Sequence, residues 1–230
     1  MMRNLLSIFF IIVSLSAYSQ NKKKQIHQPP TITVVEADSV SPKNDHSNTI
    51  SEIKKFQVDL NEEYLNAEET PLRGDNFRKF KGHPFFPIDL KYRVTAKFEK
   101  NKNPVPFELP TSSGKSKSYQ EYGKATFLLG GKPLTVNIYQ SLDLMKTEEY
   151  RDHLFLPFRD LTNGKETYGG GKYLDLKIPE GDMIVLDFNL SYQPYCAYNA
   201  YDYNCPIVPA ENKMDAEIRA GVMYDDVYHH

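Results

Sequence analysis

The sequence predicts a mainly β fold, a single-domain antiparallel β-sandwich or barrel with an N-terminal amphipathic helix and a long Tyr/Pro-rich C-terminal loop. Three observations carry that expectation. Apolar and polar residues alternate over several short stretches, which is the period of a half-buried strand. Turn signals such as Gly130-Gly131 and Pro179-Glu180-Gly181-Asp182 punctuate these stretches. No helix of crossover length separates them, so a doubly wound parallel sheet is not expected.

The chain begins with a segment that is not part of that fold. Arg3 precedes an apolar run from Leu5 to Leu15, which is too short to span a bilayer. Ala17-Tyr18-Ser19 then supplies the small residues of a cleavage site before Gln20. Residues 1–19 therefore read as a secretory signal peptide, and the protein as exported, periplasmic or extracellular. It is expected to be soluble, with no stable membrane insertion after cleavage. A lipid anchor would need a cysteine beside the cleavage site, and the two cysteines are Cys196 and Cys205. Residues 20–48 are polar, with Lys22-Lys23-Lys24, Pro29-Pro30 and Pro42, and read as a flexible arm. A single globular domain is expected over 49–230.

Thr49 and Glu52 have capping-box spacing, so a helix is expected to start there. Ile53, Phe56, Leu60 and Tyr64 recur at steps of three and four and give it one apolar face, expected to pack across a sheet. Pro71 ends the run, because it disfavours helix at Thr70. The period then changes. Tyr92, Val94, Ala96 and Phe98 alternate with Arg93, Thr95, Lys97 and Glu99. Val105 to Leu109 reads as a short edge strand, given its prolines. Ala125 to Leu129 and Leu134 to Tyr139 flank Gly130-Gly131 as a hairpin. Leu142 to His153 is a short helix or a loop. Leu154 to Phe158, Tyr173 to Ile178 and Met183 to Asn189 complete the strands.

Bulk composition limits function. With 40% hydrophobic and 13% aromatic residues, the chain can bury a core. The formal net charge is −2, so no global basic field exists to hold nucleic acid. The six histidines form no metal-ligand spacing, and no cofactor is implied. Gly169-Gly170-Gly171-Lys172 fails as a phosphate loop, because Glu166 stands where its first glycine should be and Tyr173 where a Ser or Thr should be. The glycines read instead as a tight turn or bulge before a strand.

The segment from Leu156 to Asn212 is the richest in chemistry. It holds Leu156-Pro157-Phe158-Arg159-Asp160, Thr162-Asn163-Gly164, Glu166-Thr167-Tyr168-Gly169-Gly170-Gly171, Asp187-Phe188-Asn189, Pro194-Tyr195-Cys196-Ala197-Tyr198-Asn199, and Cys205-Pro206 through Glu211-Asn212. With Phe85-Phe86-Pro87-Ile88-Asp89 upstream, these pieces resemble an uncharacterised bacterial and archaeal family, domain of unknown function 1684. The resemblance runs from about the first helix to near the chain end. It departs at Lys172, where members of this kind tend to carry Arg. The family implies no activity.

The residues themselves suggest where a site would form. Arg159 and Asp160 lie beside an apolar strand, where an unpaired buried charge is costly. Pairing with each other, or with Glu166 and Asp187, would relieve that cost. Asp187 and Asn189 are expected to share one strand face with Val185, so Asp187 is the leading candidate acid or base. Tyr168, Tyr195 and Tyr198, with Asp160, Asn189 and Asn212, are candidate binding residues, since tyrosine rings cover sugar faces while polar groups fix hydroxyls. Asp160, Glu166 and Glu211 could gather around a hard cation. In an oxidising compartment Cys196 and Cys205 are a candidate disulfide; buried thiols are the alternative. The leading reading is an exported domain that binds a small polar ligand or glycan at a Tyr-rich pocket. The alternatives are an exported hydrolase using Asp187 or Glu166 with Arg159, and a structural envelope protein without a small-molecule site.

Overall fold

The structure, a computed structural model, describes residues 42–225 and residue 228. The expected signal peptide, residues 1–19, and residues 20–41 of the expected arm lie outside the described residues. Helix α1 spans Pro42–Leu65, so it starts well before Thr49. Proline suits the first helical turn, where its missing N–H has no partner to lose. Thr49 is therefore inside the helix and buried rather than a cap, and residues 42–48 of the expected arm are helical. The apolar face is as expected, with Ile53, Phe56, Leu60 and Tyr64 all buried. A short helix, α2 (Gly74–Lys79), follows.

Among the described residues, seven strands form one antiparallel sheet. They are β1 (Arg93–Lys100), β2 (Pro106–Pro110), β3 (Ser116–Leu129), β4 (Lys132–Ser141), β5 (His153–Phe158), β6 (Lys172–Lys177) and β7 (Met183–Asp187). Their order is β6-β5-β4-β3-β1-β7, with β2 also on β3. The expected mainly β fold is therefore present as a single curled sheet, a half-barrel. The β3–β4 hairpin turns through Gly130 and Gly131 at φ 58° and 80°, the left-handed pair that a two-residue hairpin loop requires.

Strand β3 is much longer than the stretch expected from its pattern. Its register shifts between Glu121 and Gly123, a bulge that breaks the two-residue period. The buried residues Tyr119 and Tyr122 are thus spaced by three and give no alternation.

One face of the sheet carries the main core. Ala96 and Phe98 of β1, Ala125 and Phe127 of β3, Val136 and Ile138 of β4, and Leu154, Leu156 and Phe158 of β5 all point into it. Met214, Ile218 and Ala220 from the chain's last segment close it. The opposite face buries Leu109, Tyr119, Tyr139, Phe155 and Tyr173 under Val208.

Helix α1 does not lie across the sheet. Its Phe56, Leu60 and Tyr64 pack on Ala197, Tyr198 and Val222 of the C-terminal loop, with Leu72 and Phe80. Each such side chain removed from water contributes about 1.5–3 kcal/mol. The long loop expected at the C-terminus is present, built from 3-10 turns at Phe188–Leu190, Tyr195–Ala197 and Ala210–Asn212. Its stretch from Phe188 to Asn199 is mostly buried, with Ala197 and Tyr198 under the helix, while Tyr201 and Ile207 are exposed. Among the described residues no helix is long and apolar enough to cross a membrane.

Candidate functional site

The polar residues singled out in the sequence do not converge on one cavity. They divide into separate, internally bonded groups.

Asp187 ends β7 and is buried. Its Oδ1 accepts from the Asn189 backbone N–H at 3.0 Å and from Asn189 Nδ2 at 2.9 Å, which caps the 3-10 turn Phe188–Leu190. Its Oδ2 takes Arg93 Nη1 at 3.2 Å, from the residue opposite it in the β1–β7 ladder. Asn189 also receives the Asp89 backbone N–H and donates to the Asp89 carbonyl, both at 3.1 Å. The expectation that Asp187 and Asn189 line a face with Val185 is corrected: Val185 is exposed, while both polar residues are buried and serve a turn. A strand-end carboxylate meets unpaired backbone N–H groups first, and these consume it.

Arg159 is exposed and, among the described residues, makes no ion pair. Its backbone instead bridges to the C-terminal segment, donating to the Asn212 carbonyl and accepting from the Met214 N–H. Glu166 pairs with Arg219 at 3.0 Å. Asp160 pairs with Lys172 at 3.2 Å, with both side chains fully out of solvent. Glu211 accepts from the Tyr139 hydroxyl at 3.0 Å. Asp160, Glu166 and Glu211 thus go to three different partners, which corrects the idea that they gather around one cation. Asn212 is a buried staple: its Oδ1 takes the Asn137 N–H, and its Nδ2 donates to the Asn137 and Pro157 carbonyls.

Of the candidate tyrosines, Tyr198 is buried and Tyr168 and Tyr195 are half-buried. Tyr198 donates to Gln193 Oε1 at 2.8 Å and meets His83 Nδ1 at 3.1 Å, edge-on to Tyr64. Tyr195 donates to Glu63 of α1. Tyr168 packs edge-on to Tyr224. Burial pushes the hydroxyls of Tyr64, Tyr195 and Tyr198 above the ordinary phenol value. None of these rings presents a free sugar platform, because the helix needs the loop's aromatic surface to pack on. Cys196 and Cys205 form a disulfide that closes part of this loop.

Two features were missed in the sequence. Lys172 is fully buried, and its Nζ donates to the Ile218 carbonyl at 2.7 Å. Burial draws its ammonium below the ordinary lysine value, against the opposing attraction of Asp160. The preceding Gly171, at φ 107°, lets the chain enter: a Cβ there would lie 2.7 Å from the Phe158 carbonyl. The second feature is a line of bonds between strands, with His153 Nε2 2.9 Å from Asp175 Oδ1 and the Tyr192 hydroxyl donating to Asp175 Oδ2 at 2.6 Å. Its residues are distant in sequence, and only the β5–β6 register brings His153 and Asp175 together.

A large open cleft lies elsewhere. It has a volume of about 1040 Å³ and opens at one end of the core face, where β1, β3 and β4 run past the buried side chains. Lys100, Asn101 and Lys102 line it from the end of β1, Gln120 and Tyr122 from β3, Gln140 from β4, Met145 and Arg151 from the connection before β5, and Ile178 from just past β6. Strands β1 and β6 are four places apart in the sheet, so only a strong curl brings their ends to one cleft. Tyr122 stacks on Phe98 in the floor, and Lys100 Nζ lies 4.9 Å from the Tyr122 ring centre. Gln120 Nε2 donates to Gln140 Oε1 at 2.9 Å, and Gln140 Nε2 to the Arg151 carbonyl at 3.1 Å. Among the described residues, the charged ends of Lys102 and Arg151 have no carboxylate partner. Glu99, the one acid of the lining, is taken by Lys97.

A family model described as "Protein of unknown function (DUF1684)" matches residues 78–223. No curated protein matches the chain. Among solved structures, the chain is similar to the solution NMR structure of the uncharacterised protein from gene locus rrnAC0354 of Haloarcula marismortui. The two are 28% identical with a TM-score of 0.63, over 80% of this chain and 98% of that one.

Proposed function

The chain belongs to the DUF1684 family, and on that premise we propose that it is a non-catalytic binding domain for a small anionic polar ligand, such as an acidic sugar, seated in the cleft at the end of the half-barrel. One observation carries this reading. The cleft collects three cations, side-chain amides and a tyrosine ring, and its only acid is already paired. Unpaired Lys and Arg attract a carboxylate or phosphate, amides fix hydroxyls, and a ring covers an apolar sugar face. The hydrolase reading has less support, because Asp187 and Glu166 are both engaged by internal partners.

The same reading puts the protein outside the cytoplasm. Residues 1–19 have the composition of an export signal, and the Cys196–Cys205 bond suits an oxidising compartment. The mass of the protein from its native host should show a chain shortened to about Gln20, and an intact N-terminus would contradict export.

The binding reading is tested by calorimetric titration with trigalacturonate and with neutral maltotriose. The acidic sugar should bind more tightly and weaken as salt is raised. Arg151→Ala should lower its affinity severalfold while the melting temperature stays put. Equal binding of both sugars, or indifference to Arg151→Ala, would contradict the assignment.

A further inference from the structure

Lys172 and Asp160 form a closed site away from the cleft. Neither side chain reaches solvent, and Lys172 Nζ stands 3.2 Å from Asp160 Oδ2. The Phe158 and Phe86 rings flank the amine at 5.4 and 5.9 Å. The two carboxylate oxygens are treated differently. Oδ1 accepts the backbone N–H groups of Thr162 at 2.8 Å and Ile218 at 3.3 Å. Oδ2 has no hydrogen-bond partner among the described residues and faces the amine.

That asymmetry is what an acyl-transfer step needs. Two N–H donors stand where negative charge would develop, on the oxygen that stays, and none holds the oxygen that leaves. We propose that Lys172 and Asp160 condense within the folded chain to a side-chain amide, an internal cross-link between β6 and the turn after β5. The ammonium first gives one proton to Oδ2, leaving a neutral amine beside a carboxylic acid. The amine lone pair attacks Asp160 Cγ, and the charge on Oδ1 is met by the Thr162 and Ile218 N–H groups. The nitrogen passes a second proton to the departing oxygen, the Cγ–Oδ2 bond breaks, and one water leaves. A cation and an anion become a neutral amide plus water, so no oxidant, cofactor or second reactant is needed. The hydrogen that remains on nitrogen is already served, because the Ile218 carbonyl lies 2.7 Å from Nζ. Burial, which disfavours the ammonium here, increases the share of nucleophilic amine. The aromatic walls keep out water that would hydrolyse the product. The cross-link also removes a charge pair whose burial is costly.

Trypsin with mass spectrometry decides the matter on the whole, folded protein after reduction and alkylation. An uncondensed chain is cut after Arg159, Lys165, Lys172 and Lys177, giving free peptides 160–165, 166–172 and 173–177. The condensed chain gives instead one branched peptide joining 160–165 to 166–177, uncut after Lys172 and lighter than its parts by one water. The intact protein should show the same single water loss. Lys172→Arg keeps the charge but cannot condense, so its intact mass should equal that of its sequence. Free 160–165 with cleavage after Lys172 in the wild-type protein would overturn the proposal. A water loss that persists in Lys172→Arg would overturn it too. The wild-type peptides give the answer even if the variant does not fold.

Discussion

Asp187→Asn separates a structural carboxylate from a catalytic one. In the folded protein Oδ1 holds two donors from Asn189, and Oδ2 holds Arg93 Nη1 at 3.2 Å. The amide variant keeps an oxygen for Asn189 but turns an NH2 group towards the guanidinium, donor against donor. The loss is one charge-assisted contact, worth about 1.5–3 kcal/mol in general. Arg93 keeps 36% of its side chain in water, which softens the mismatch, so about 2 kcal/mol is the expected cost. For a domain of this size that corresponds to a melting temperature lowered by about 4–8 °C. Thermal unfolding followed by circular dichroism, with the disulfide intact, measures it. Ligand affinity extrapolated to fully folded protein should be unchanged. An unaltered melting temperature with abolished binding or turnover would refute the reasoning and return Asp187 to a functional role.

Three further outcomes follow from the same contacts. Asn212→Ala strands the Asn137 N–H and two carbonyls that its side chain now satisfies, and should cost about 3 kcal/mol or more in denaturant titrations; a loss under about 1 kcal/mol would mean that water replaces the staple. Burial holds Tyr64, Tyr173, Tyr192 and Tyr198 protonated well above 10.0 in the folded state. The unfolded chain ionises them near that value, so stability is intact below it and falls as pH rises past it, by up to about 1.4 kcal/mol per tyrosine per pH unit. Tyrosinate absorbance and near-ultraviolet circular dichroism should therefore change together in one cooperative step, and tyrosines that titrate smoothly in a persisting fold would contradict their burial. Reducing Cys196–Cys205 should lower stability by about 2–3 kcal/mol through the entropy of the released loop; an unchanged denaturation midpoint would show that the loop is held without the bond.

The parts of the fold that were legible in the sequence are those whose signal is local. The apolar face of α1, the alternation in β1 and β4, and the glycine pair between β3 and β4 each report themselves within a few residues. The first half of β3 does not, because the bulge at Tyr122 resets the period and its neighbours are Lys, Ser, Gln and Glu. The start of α1 is not legible because Thr49 and Glu52 mimic a cap, while the helix already runs from Pro42.

For the site, residue types were legible and partners were not. Asp160 takes its hydrogen bonds from Thr162 and from Ile218, the latter 58 residues further on, and nothing in the local sequence points to that second donor. The tyrosines of the C-terminal loop look like a sugar platform until α1 is laid over them. The cleft residues Lys102, Gln120, Gln140 and Arg151 each look like ordinary solvated side chains in sequence. Only the curl of the sheet brings them together.

The central claim is that ligand meets the cleft and that the Leu156–Asn212 segment is framework. A backbone amide map by NMR tests it directly, with trigalacturonate added to isotopically labelled protein. Shifts concentrated at Asn101, Lys102, Gln120, Tyr122, Gln140 and Arg151, with Asn189, Tyr195 and Tyr198 unmoved, are the predicted result. Shifts centred on Asn189, Tyr195 and Tyr198, with the cleft silent, would contradict it.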